Sequence, residues 1–128
     1  MRRLLPVLAL AFVLAGCTDA ATRLAYQFER EAGELRGDAG RKRLTFEHVP
    51  EASPEGPRGD YTIALNPGSL SVSCHGQEKD YGEECYSTSY HRRFVKVPQA
   101  LSVRHHAGEA SKITIEKDGD DIVVVALE

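Results

Sequence analysis

The chain has 128 residues, 41% hydrophobic and 27% charged, with a formal net charge of −3. That length accommodates one small domain with a single core. A mildly acidic balance argues against nucleic acid as a partner, since nucleic-acid binders carry a basic surplus.

Met1, Arg2 and Arg3 precede an apolar run from Leu4 to Ala15, the order of a positive n-region and a hydrophobic h-region in an export signal. The run is about a dozen residues, whereas a helix crossing roughly 30 Å of hydrocarbon needs about 20. Every later apolar run is interrupted by charge, Gly or Pro within a few residues, so only a covalent lipid would tether the processed chain.

The signal ends in Leu14, Ala15, Gly16 and Cys17. This resembles the lipobox of bacterial lipoprotein precursors, a Leu and two small residues before an invariant Cys. The resemblance covers the first 17 residues only. It implies that the Cys17 thiol receives a diacylglycerol, that a peptidase cuts between Gly16 and Cys17, and that the new amino terminus is acylated by a fatty acid such as palmitate. Thiols are the most nucleophilic side chains available for such alkylation. One acyl chain binds a membrane marginally, but each buried methylene adds about 0.8 kcal/mol, so two or three chains hold firmly. Asp directly after the acylated Cys signals inner-membrane retention in such lipoproteins. Thr18 stands there and Asp19 follows, so the outer membrane is favoured, facing the periplasm. Residues 1–16 are expected to form the signal peptide, 17–22 a lipidated tether and 23–128 one globular domain. Loss of Arg2 and Arg3 with the leader takes the net charge from −3 to −5.

Lipid at Cys17 leaves Cys74 and Cys85 as an even pair in an oxidising compartment, which predicts a structural disulfide. Closing a loop of that length would contribute roughly 3 kcal/mol if unstrained. Neither C-x-x-C redox spacing nor a zinc-ligand pattern is present.

From Arg23 to Arg36, Leu24, Phe28, Ala32 and Leu35 recur at helical intervals in a stretch rich in Glu, Arg, Ala and Leu, which favours an amphipathic helix. Leu24, Tyr26 and Phe28 also alternate, so a strand fits the first half, and Gly33 weakens the helix from within. After the Gly37–Gly40 break, Leu44 and Phe46 alternate with polar residues as in a strand. Pro50, Pro54, Gly56, Pro57 and Gly59 mark an irregular loop. Tyr61, Ile63 and Leu65 begin the next strand, and Asn66, Pro67 and Gly68 turn the chain into another, with Leu70, Val72 and Cys74 on its inward side. Beyond the cysteine-bounded loop, Tyr86, Tyr90 and Phe94 share a face, with Val95 and Val97 taking over after a bulge or bend near Arg93. Leu101, Val103 and His105 alternate with Ser102, Arg104 and His106, which sends the adjacent histidines to opposite faces. Ile113 to Lys117 and Asp121 to Leu127 flank Asp118-Gly119, a type I′ hairpin signal. That register sets Ile115 opposite Ile122 and Ile113 opposite Val124, all four on one buried face, with Val123, Val125 and Leu127 suggesting a covered second face. The expected fold is α+β or mainly β, an antiparallel sheet of about six strands in hairpins with one N-terminal helix and one disulfide.

For chemistry, His48, His75, His91, His105 and His106 invite a metal reading, but no pair has the i, i+2 or i, i+4 spacing of strand or helix ligands. No metal and no cofactor is therefore assigned. Asp118, Asp120 and Asp121 are explained by their turn, since Ca²⁺ wants six to eight oxygens. There is no G-x-S-x-G elbow, no Gly-rich phosphate loop and no acid/base pair fixed by spacing, so the chain is not expected to be an enzyme. Opposite charges in the cysteine loop and on the segment after it suit simple pairing across a hairpin. The sharper reading makes Tyr81, Tyr86, Tyr90, Arg92 and Arg93 an interface, aromatic anchors flanked by charge on a braced loop. The leading expectation is a membrane-anchored envelope lipoprotein acting as a non-catalytic binding or structural module. Alternatives are an inhibitor of a hydrolase such as lysozyme, by architectural analogy alone, and a histidine-based metal binder. Membrane-bound lysozyme inhibitors carry a Tyr-x-Cys motif, and here Val72 stands where that Tyr would precede Cys74.

Overall fold

The computed structural model describes residues 20–50, 59–75, 87–89 and 95–128, the segment 87–89 by its backbone. The helix α1 runs Ala20–Gly37, followed by seven strands: β1 Arg43–His48, β2 Asp60–Asn66, β3 Ser69–His75, β4 Ser87–Ser89, β5 Leu101–His106, β6 Ser111–Asp118 and β7 Asp121–Leu127.

Helix periodicity prevails over strand alternation at the N-terminal end. Leu24, Ala25, Phe28, Ala32 and Leu35 form a continuous buried stripe, and Tyr26, which a strand would have placed inward, is exposed. A stripe repeating every three or four residues buries one side of a helix, and burying it stabilises the helix more than propensity alone does. The helix starts inside the stretch 17–22 expected to be tether. Ala20 and Ala21 are buried in the core, so residues 20–22 belong to the folded domain. At the other end the amide of Asp38 reaches the carbonyl of Leu35, and the Asp38 carboxylate accepts from the Gly40 amide at 3.0 Å, which turns the chain toward β1.

The strands form a three-stranded sheet in the order β1-β6-β7 and a four-stranded sheet in the order β4-β3-β2-β5, antiparallel throughout. Helix α1 packs on β1 and β6 of the first and on β3 and β4 of the second, while β5 approaches β7 at the far side. One core results. Leu24, Phe28 and Leu35 from the helix meet Tyr61, Ile63, Leu65, Leu70 and Val72 from the larger sheet and Phe46, Ile113, Ile115, Ile122 and Val124 from the smaller. Each such large side chain is worth about 1.5–3 kcal/mol when fully buried. Together they outweigh any single covalent brace.

The expected inward faces of β2 and β3 are as read from the alternation, including Cys74, buried on the same face as Leu70 and Val72. The connecting turn has Pro67 before Gly68, which sits at φ +83°, the arrangement of a type II turn. The last hairpin needs a correction. Its two turn residues are Gly119 and Asp120, and only Gly119 has positive φ, +62°. Positive φ at the first central position alone fits a II′ turn, which asks nothing unusual of Asp120. Asp118 therefore pairs with Asp121, Lys117 with Ile122 and Ile115 with Val124, and after an irregularity between Thr114 and Ile115, Ile113 pairs with Leu127. Moving the turn by one residue shifts the pairing by two positions along one strand, so every side chain keeps its face. Ile113, Ile115, Ile122 and Val124 are all buried as expected. The second face of β7 is less covered than expected: Val123 is half-buried, and Val125 is exposed.

Cys17, Cys85, His91, Tyr81, Tyr86, Tyr90, Arg92 and Arg93, together with the proposed bend near Arg93, lie outside the described residues. No described helix is long and apolar enough to cross a membrane.

Candidate functional site

Where the first half of α1 passes the end of β1, the surface opens into a cleft of about 620 Å³ lined by Arg23, Tyr26, Gln27, Arg30, His48 and Val49. The core beneath holds its walls in place. Phe28 and Phe46 meet edge to face with ring centroids 5.2 Å apart, which fixes the helix against the strand directly under Gln27 and His48. Gln27 then stitches the two elements together. Its Nε2 donates to the Glu47 carbonyl at 2.8 Å, so its Oε1 is the acceptor facing His48 Nδ1 at 2.9 Å. The imidazole must therefore carry its proton on Nδ1, leaving a bare lone pair on Nε2. That atom is buried and has no hydrogen-bond partner among the described residues. Burial, aided by the positive charge of Arg23, brings the His48 pKa down to about 4. At neutral pH the ring is an uncharged acceptor.

The rim has a different character. Tyr26 and Val49 are two of the three exposed large hydrophobic residues among those described, at 56% and 47%. Arg30 stands exposed beside them with Glu31 as its ion-pair partner at 3.3 Å. The cleft thus combines guanidinium charge, an aromatic and an aliphatic surface, and a buried acceptor. It suits an amphiphilic anion carrying a hydroxyl or amine donor. It does not suit acid–base catalysis, because a base of pKa about 4 takes up few protons near neutrality.

A second cluster lies on the outer face of the four-stranded sheet. The register sets Asp60 opposite both His75 and His106 in one row across β3, β2 and β5. Asp60 Oδ1 bonds His106 Nδ1 at 2.6 Å, Arg104 Nε donates to Asp60 Oδ2 at 3.1 Å, and His75 Nε2 is 2.7 Å from the Thr62 hydroxyl. The His106 bond, more than that of Arg104, holds the Asp60 carboxyl below the usual carboxylate range. His105 turns the other way, as alternation requires, and its ring lies tilted against Tyr61 at 6.0 Å. The Tyr61 hydroxyl donates to the Glu109 carbonyl at 2.6 Å and lies 3.0 Å from the Ser111 hydroxyl. Burial pushes its pKa up. Among the described residues no group of three His, Cys, Asp or Glu is placed to hold a metal ion. A further cleft of about 500 Å³ between the β2–β3 turn and β7 is walled by Pro67, Val95, Val97, Pro98 and Val123, with Lys96 and Asp118 at its edge.

Of the residues singled out from the sequence, only His48 falls in the first cleft. Arg23, Tyr26, Gln27, Arg30 and Val49 were not among them. The available signal was Tyr26, a large aromatic on the side of the helix opposite the apolar stripe. The Asp60 row carries no sequence signal, because the pairing of three strands brings it together. No family model matches the chain, and no curated protein or solved structure is found to be similar to it.

Proposed function

We propose that this chain is a bacterial envelope lipoprotein, anchored through lipid on Cys17 and working as a non-catalytic binding module at the membrane surface. The outer membrane, periplasmic side, is favoured by Thr18 following the acylated position. The observation that carries the reading is the junction of lipobox and fold: Cys17 ends the Leu14-Ala15-Gly16-Cys17 motif, and the buried helix begins at Ala20. A lipoprotein needs nothing more between its anchor and its domain. A binding role is supported by the Arg23–His48 cleft, which joins exposed apolar surface to a buried acceptor while offering no acid–base pair.

Mass spectrometry of the processed chain tests the anchor. The expected product starts at Cys17 with the mass of a diacylglyceryl group and an amide-linked acyl chain, and Cys17→Ser remains unprocessed. An unacylated amino terminus, or cleavage elsewhere, would sink the reading. We also propose the Cys74–Cys85 disulfide. Cys74 is buried, faces inward and is not a free thiol, which suits a brace between β3 and the following loop. Peptide mapping without reductant should recover Cys74 and Cys85 in one cross-linked fragment. Alkylation of both under native conditions would refute the pairing.

A further inference from the structure

We infer that the cleft between α1 and β1 is the face this domain turns to its own membrane, and that it seats the headgroup of an anionic phospholipid bearing free hydroxyls, phosphatidylglycerol being the simplest. The inference rests on the lipid-anchor reading and adds to it an orientation and a ligand class.

Reach comes first. Only Thr18 and Asp19 separate Cys17 from Ala20, three steps along the chain, and an extended chain spans at most about 3.3–3.6 Å per residue, so the start of α1 stays within roughly 10 Å of the lipidated residue. Arg23, Tyr26 and Gln27 follow within the next two turns, a further ~10 Å at 1.5 Å per residue. The cleft is thus at the tethered end of the molecule. The cleft edged by Asp118 is not, since the neighbouring Asp120 carbonyl accepts from Arg36 at the opposite end of the helix.

Chemistry comes next. Two of the three exposed large hydrophobics among the described residues, Tyr26 and Val49, lie in this cleft, and tyrosine with its apolar body and polar tip favours the headgroup level of a bilayer. Arg23 and Arg30 supply the positive charge that phosphodiesters attract, and guanidinium suits phosphate geometry. These features call for an anion, but they do not distinguish one anionic lipid from another. His48 does. Its buried Nε2 lone pair has no donor among the described residues, and a buried acceptor without a partner costs free energy until a donor arrives. A phosphoglycerol headgroup brings the phosphate and the hydroxyl together on one short unit.

The test uses the mature lipidated chain on vesicles of phosphatidylcholine alone and of equal parts phosphatidylcholine and phosphatidylglycerol. Flotation reads the anchor, and backbone hydrogen exchange reads the cleft. Exchange at residues 22–30 and 48–49 is expected to slow on the mixed vesicles relative to phosphatidylcholine. Arg30→Glu should lose that slowing by roughly five-fold or more, the factor for at least one guanidinium near an anionic surface, while still floating. Arg36→Glu, at the other end of the helix, should keep it. A chain that floats with neither vesicle overturns the anchor reading and this inference with it. A chain that floats with both and exchanges equally on both overturns the docking alone. Equal slowing by free sn-glycerol 1-phosphate on phosphatidylcholine vesicles would assign the cleft to a soluble solute and likewise overturn the lipid as occupant.

Discussion

His48 and His106 each have a hydrogen-bonded neighbour within 3 Å, and the two sites behave in opposite ways. His48, at the end of β1 under the helix, contacts an uncharged amide, Gln27, and lies buried beside the cation Arg23. His106, on the open face of β5, contacts a carboxylate, Asp60. In the first site the fold requires the ring to be neutral. In the second it requires the carboxylate to be charged. Both requirements weaken the fold in acid, by different routes, which shows that the partner and the depth of a histidine, not its presence, determine what it does.

The largest expected effect breaks the platform under the first site. Phe28→Ala removes a fully buried ring and its edge-to-face contact with Phe46. A loss of about 3–5 kcal/mol in urea unfolding is expected, as for Phe truncations in other cores. A loss below about 1 kcal/mol, the range of surface substitutions, would mean that the helix is not docked through this pair.

Next comes the titration of His48. Its pKa is 6.5 in the unfolded chain and about 4 in the fold, so as pH falls the unfolded state takes up the proton first. The stability it contributes is complete above the unfolded value and is lost between pH 6.5 and about 4, a change of roughly 3 kcal/mol. His48→Asn retains a donor toward Gln27 and cannot titrate, so its unfolding free energy should run flatter across that window. Identical pH profiles for the two proteins would show that the ring is not held neutral.

The smallest effect is on the outer sheet. The depressed pKa of Asp60 contributes stability above its unfolded value, lost as pH falls through the folded one. The site is open to solvent, where such pairs contribute little. The sensitive readout is the carboxyl titration itself by NMR. His106→Ala should move the Asp60 midpoint upward, toward the ordinary range, with Arg104 retaining part of the depression. An unmoved midpoint would make Arg104 the dominant partner.

Much of the scaffold was legible because its signals are local. The 3.6-residue stripe through Leu24, Phe28 and Leu35, the alternation of Tyr61, Ile63 and Leu65, and the inward set Leu70, Val72 and Cys74 each follow from neighbours in the chain. The tether boundary was misplaced because alanines serve a linker and a tightly packed helix start equally well. Only the packing of Ala20 and Ala21 against the core distinguishes them. The hairpin turn was displaced by one residue because Asp118-Gly119 and Gly119-Asp120 both satisfy a glycine-dependent turn. The two sites were not legible for a common reason. Gln27 and His48 are brought together by helix–sheet packing, and His75, Asp60 and His106 by the pairing of three strands, neither of which leaves a spacing to read.

The irregularity between Thr114 and Ile115 gives β7 one more residue than its partner uses. Val124 pairs with Ile115 and Ala126 with Thr114, so Val125 is the supernumerary residue, and it is solvent-exposed. Excising Val125 would bring Ala126 next to Val124 with both still on their present faces, whereas in a strand without such an irregularity a one-residue deletion would turn the remainder inside out. The hairpin thus contains one place where its length can change by a single codon without rewriting the core, and the Val125 deletion should still yield a folded, cooperatively melting domain.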